Sequence, residues 1–115
     1  MKLFTIEQRK KLLEEELSRI LEVLKRDYRP ERVILFGSLA EGDIHEWSDI
    51  DLFIVKKTAK RPIDRILEVS RLIKPKIGID FFIYTPDEFG ALVQEKFSFL
   101  SGVVEKGKVL YEKRS

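Results

Sequence analysis

From residue 5 to residue 27 the apolar positions Leu13, Leu17, Ile20, Leu21 and Leu24 recur at steps of three and four. That period gathers them on one stripe of a helix, with Lys10, Glu14, Glu15, Arg19, Glu22 and Arg26 opposite. Thr5 and Gln8 have capping-box spacing at its start, and Tyr28-Arg29-Pro30 stops it, because a residue before proline avoids the helical region. Glu15–Arg19 and Glu22–Arg26 are expected as i,i+4 pairs. The pattern then changes. Val33 to Phe36 is an unbroken apolar run that predicts a buried strand, closed by a Gly37-Ser38 turn and a short helical turn through Leu39, Ala40 and Glu41. After a polar loop, a second strand runs to Val55 and carries Asp49 and Asp51 among Ile50, Leu52, Phe53 and Ile54.

Pro62 opens a second helix whose expected buried stripe is Ile63, Ile66, Leu67, Ser70 and Ile73, ended by Lys74-Pro75-Lys76. Ile77 to Tyr84 alternates as a strand, with Ile77, Ile79, Phe81 and Ile83 on one face and Gly78, Asp80, Phe82 and Tyr84 on the other. Thr85-Pro86 caps a helix running on through Leu92 and Val93; Phe97 to Lys106 is helical up to Gly107, and Val109 to Tyr111 is a short last strand. The order predicts an α/β (α+β) fold, a small mixed β-sheet backed by helices on one side. Phe97, Phe99, Leu100, Val103 and Val104 exceed what a small core needs, so part of that set is a candidate partner surface, for a homo- or hetero-oligomer.

A length of 115 residues predicts one domain, 1–115, without room for a separate substrate-binding domain. Charged residues make up 37% of the chain but leave a net charge of only +2, which argues against a nucleic-acid binder driven by bulk charge. Cysteine is absent, so disulfides and thiolate metal sites are excluded. No signal peptide or long apolar run is present, which predicts a cytoplasmic protein without a membrane span.

The chemistry lies between Val33 and Val55. Two carboxylates at i and i+2 of a strand point the same way, with Cα atoms roughly 6.5–7 Å apart. Asp49 and Asp51 can therefore lean onto one metal ion, or onto two about 3.5–4 Å apart. Holding them side by side in an apolar strand without a cation is costly, and a Mg²⁺-type site resolves the conflict. Gly37 lets the backbone approach a phosphate and Ser38 adds a hydroxyl; an ordinary strand-to-helix turn is the plainer reading of the same pair. Asp80, one acid in an apolar strand, also calls for a partner, with an edge-strand salt bridge as its plain alternative. His45 is simplest as a solvated loop residue; Trp47 either covers the core edge or stacks on a base. Lys56, Lys57, Lys60 and Arg61 form a basic connector that can solvate a loop or steer an anionic substrate.

Gly37-Ser38, ten residues, then Asp49-Ile50-Asp51 resembles the signature of the DNA polymerase β superfamily of nucleotidyltransferases. The surrounding LFGSLAEG and SDIDLFIV are similar to its small branch, the minimal nucleotidyltransferases. The resemblance implies a polymerase β-like fold and Mg²⁺-dependent transfer of AMP from ATP to a hydroxyl. Asp49 and Asp51 would bind the metals, Asp80 would be the third carboxylate, and Gly37 and Ser38 would hold the nucleotide's phosphates. Family members often carry arginines where this chain has Leu39 and Glu41, so Lys56, Lys57, Lys60 or Arg61 becomes the expected source of neutralising charge. The resemblance also implies a protein partner, because the branch is frequently the antitoxin of a helical HEPN ribonuclease toxin, some members adding AMP to its tyrosine. Two other readings stand beside this one: a binding module that silences its partner by contact, and an adenylyltransferase acting on a small molecule.

Overall fold

The structure is a computed structural model and describes residues 5–45, 48–95 and 98–114. Its helices are α1 (Ile6–Val23), α2 (Gly37–Glu41), α3 (Pro62–Ile73), α4 (Pro86–Gln94) and α5 (Ser98–Lys106). Its strands are β1 (Arg32–Phe36), β2 (Ile50–Val55), β3 (Ile79–Tyr84) and β4 (Lys108–Glu112), in the sheet order β3-β2-β1-β4. β1 runs antiparallel to both β2 and β4, while β2 and β3 are parallel. A parallel pair needs a long crossover, which α3 supplies. The sheet is mixed, as the alternation of strands and helices predicts.

β1, β2 and β3 divide their side chains between two apolar layers. Val33, Leu35, Ile50, Leu52, Ile54 and Ile83 meet Leu13, Ile20 and Leu24 from the first helical segment and Val69 and Ile73 of α3. On the other face Ile34, Phe53 and Val55 pack against Leu100 and Val103 of α5, with Phe89 and Leu92 of α4 at the margin. The expectation of helices on one side is therefore corrected: α4 and α5 build a second, smaller core. Phe53, fully buried, demands it, since its own strand neighbours already fill the opposite layer. Phe99 and Val104 stay exposed at 38% and 53%, while Leu100 and Val103 are buried; Phe97 lies outside the described residues.

Local sequence rules hold at the helix starts. Thr5 and Gln8 form the predicted capping box, and Thr85 forms another with Glu88. The end of the first helix widens into a π-helical turn over Leu24–Tyr28, and Arg29 takes a left-handed conformation (φ 55°) ahead of Pro30.

Two expected ion pairs are replaced by others. Arg19 binds Glu16 at 2.7 Å rather than Glu15, and Arg26 binds Asp27 at 3.0 Å rather than Glu22. Glu16 is buried and requires the partner more than exposed Glu15 does. The buried line of α3 is Arg65, Val69 and Ile73; of the expected stripe Ile73 is buried and Ile66 packs against the core, whereas Ile63 and Leu67 are 58% and 42% exposed. Arg65 owns that inner position because it donates to Lys60 O at 2.8 Å, Ile83 O at 3.2 Å and the Glu88 carboxylate at 2.7 Å.

Candidate active site

β1 ends at Phe36, whose register partner is Asp51 on β2; Asp51 in turn faces Asp80 on β3. Equal register in a parallel pair puts both carboxylates on one face, neighbours across roughly 4.8 Å. Asp49 stands just ahead of β2, which corrects the expectation that the strand carries it: the ladder with β3 begins only at Ile50. Its place is fixed by the first bond of the strand pair, Ile50 N donating to Gly78 O at 3.1 Å, which brings Gly78 under the Asp49 side chain. Both glycines are needed for space. A Cβ on Gly37 would overlap Asp51 Oδ2, and Gly37 also has φ +77°; a Cβ on Gly78 would lie 2.5 Å from Asp49 Oδ1. The sequence-predicted residues thus meet at one end of the sheet, with Gly37 against Asp51, Gly78 against Asp49, and Asp80 beside Asp51.

Burial, then the negative charges of Asp80 and Asp49, pushes the Asp51 carboxyl up to about 6. Asp49 and Asp80 are more exposed. Ser38 donates to Ser48 Oγ at 3.0 Å, and Ser48 Oγ accepts from His45 N at 2.9 Å, so the two hydroxyls tie the Gly-Ser turn to the strand's entrance. Ser48 bonds the local backbone as its position suggests. Trp47 lies outside the described residues.

One contact at the candidate site is not foreseen from the sequence. Arg9 Nε donates to Ser48 O at 3.0 Å, and Arg9 Nη2 to Asp49 Oδ1 at 3.2 Å. A signal for it existed. Residues 9, 13, 16 and 20 share one helical line, so Arg9 and Glu16 are the polar members of the inward stripe.

The trio supplies hard carboxylate oxygens, the donors Mg²⁺ prefers. The upward shift of Asp51 comes first from its burial and then from the neighbouring Asp80 and Asp49 charges. As placed, with Asp49 drawn to Arg9, no three His, Cys, Asp or Glu side chains among the described residues form a ready metal cage. The basic connector does not serve this site. Lys56 donates to Tyr28 O at 2.5 Å, Lys60 pairs with Glu68 at 2.6 Å, and Arg61 pairs with Asp64 at 3.0 Å. All three follow the far end of β2, five residues or roughly 16 Å of strand beyond Asp51. The expectation that they neutralise the phosphates is corrected on that ground.

The family described as polymerase beta, nucleotidyltransferase matches residues 18–115. This chain belongs to that family. A candidate protein adenylyltransferase of Methanocaldococcus jannaschii is 32% identical over 102 residues, spanning 85% of this chain and 97% of that protein. A candidate nucleotidyltransferase from Sulfolobus solfataricus, solved by crystallography, shares the fold with a TM-score of 0.65 at 23% identity, over 94% of this chain and 87% of its own. A chain from a crystal structure of a toxin–antitoxin with AMP-PNP aligns with a TM-score of 0.54 at 20% identity, over 84% and 73%. Among the described residues of this protein, no helix is long and apolar enough to cross a membrane.

Proposed function

We propose that this nucleotidyltransferase moves AMP from ATP to a hydroxyl of a protein. Asp49, Asp51 and Asp80 would hold two Mg²⁺ ions, and Gly37 and Ser38 would hold the β and γ phosphates. The observation that carries the reading is the register Asp51–Asp80 beside a glycine pressed against Asp51. The bound ions supply electrostatic stabilisation of the charge that develops on the phosphates. Asp80, exposed on the edge strand, accepts the proton of the incoming hydroxyl. The acceptor oxygen bonds to the α-phosphorus, the α–β bridging bond breaks, and pyrophosphate departs with that bond's electron pair. The Ser38–Ser48 bond keeps the turn in place while Gly37 lets the phosphates close on the backbone.

The name of the archaeal relative supports a protein acceptor, and the toxin–antitoxin title of the structural neighbour supports a toxin as that protein. A HEPN-type ribonuclease modified on a tyrosine in the cytoplasm fits both. One observation favours a second reading, silencing by contact with weak catalysis. Leu39 is buried in the core and Glu41 is exposed, so neither position offers a cation to a triphosphate.

The chain is incubated with Mg²⁺, α-labelled ATP and the protein encoded beside it, and the products are weighed intact. Label in the partner and a mass gain of AMP units are expected, both lost in Asp49→Asn/Asp51→Asn. Label transfer indifferent to that double substitution overturns the proposal, and a tight but unmodified complex favours the second reading.

A further inference from the structure

Arg9 lies ahead of residue 18, where the family match begins, so its contact is not part of what that match describes. Its side chain is only 16% exposed although its partner carboxylate is 48% exposed. One planar guanidinium spans the Ser48 carbonyl and the Asp49 carboxylate, fastening the first turns of α1 to the entrance of β2. Among the described residues, this is the one place where an arginine or lysine pairs with any of the three site carboxylates. A guanidinium and a dication drawn to the same carboxylate repel each other at a separation of a few ångström. They compete for Asp49.

We propose that Arg9 is a resident counter-ion of the acidic site, which a divalent cation must displace from Asp49 in order to bind there. This rests on the reading of the trio as an ion site. In this role Arg9 is a positioning residue: it damps the repulsion that Asp49 exerts on Asp51 and couples ion binding to the order of α1. A purely structural Arg9 has the opposite signature, since losing it would loosen Asp49 and weaken ion binding.

The test is a Mn²⁺ titration of the full chain followed by electron paramagnetic resonance, with far-UV circular dichroism as a check of folding. Arg9→Gln is expected to bind Mn²⁺ about two- to fivefold more tightly than the wild type, the scale of a partly exposed ion pair. Arg9→Lys, which keeps the charge, is expected to stay within about twofold of the wild type. Equal or weaker affinity in Arg9→Gln, with wild-type binding that depends on Asp51, overturns the counter-ion role alone. Mn²⁺ binding that survives Asp51→Asn unchanged, or none in the wild type, overturns the ion-site reading and this inference with it. Hydrogen exchange of the wild type needs no variant: saturating Mg²⁺ is expected to raise deuterium uptake over residues 6–12, and unchanged or slower uptake there counts against the proposal.

Discussion

At the scale of single residues, the site places its most burdened carboxylate where folding would rather have a neutral group. Asp51 titrates near 6 in the folded chain against an ordinary 3.8. Between those values the folded chain keeps a proton that the unfolded chain has lost, so stability falls as pH rises through the window. The penalty is complete above it. Asp51→Asn removes the charge at similar size, and is expected to raise stability by about 1 kcal/mol at pH 7.5 in EDTA. The gain should vanish below pH 4, and thermal melts at both pH values check it. A chain that loses stability at pH 7.5 on this substitution would show that Asp51 is already compensated. Gly37→Ala should act the other way: the added methyl meets Asp51 Oδ2 at a positive φ, and about 1–3 kcal/mol is lost in urea titration.

Single elements are fixed here by buried polar ties as well as by apolar stripes. Arg65 joins α3 to the backbone of β3 and to Glu88, which completes the capping box of α4 with Thr85. Arg65→Met keeps the stem of the side chain but leaves Lys60 O, Ile83 O and the Glu88 carboxylate without their donor. A loss of about 2–4 kcal/mol is expected from chemical denaturation. Hydrogen bonding from Arg65 holds Glu88 below its usual range, so this tie is present above the ordinary 4.5 and disappears as pH falls through the lowered folded value. The difference between wild type and Arg65→Met should shrink in acid. The same element explains why helical spacing misassigned the inner face of α3. Apolar residues at 63, 66 and 67 give a credible stripe, yet an arginine with four acceptor oxygens around it takes the inner line, leaving Ile66 partly buried against the core and Ile63 and Leu67 exposed.

Across the whole molecule, the sheet separates two charged regions that lie close together in the chain. The acids gather at the start of β2, and the connector 56–61 leaves from its far end. Roughly 16 Å of strand exceeds the screening length of about 8 Å at physiological salt. Replacing Lys57, Lys60 and Arg61 together by alanine is therefore expected to leave nucleotide affinity within about twofold of the wild type. A tenfold loss in a calorimetric titration would return those residues to the site. An open cleft of about 690 Å³ beside Tyr28, Lys60, Glu68 and Arg71 also lies at that connector end, whereas one of about 630 Å³ abuts Arg9 and Gly78. Cleft size alone does not mark the carboxylates.

What the sequence by itself determined was local and short-range. The strand cores, the capped helix starts and the Gly37-Ser38 turn follow from side-chain periodicity and backbone sterics, which act within a few residues, whereas the place of Asp49 just outside β2 does not. Even Asp80 was marked by its own strand, as an acid with apolar neighbours. Tertiary structure alone decided what depends on distant segments sharing a dielectric and a packing volume. It set the register that puts Asp80 beside Asp51, the second core under α4 and α5, the capture of an inner helical position by Arg65, and the reach of Arg9 to a carboxylate forty residues away. Charges and buried polar atoms choose partners across the folded molecule, and no spacing along the chain records that choice.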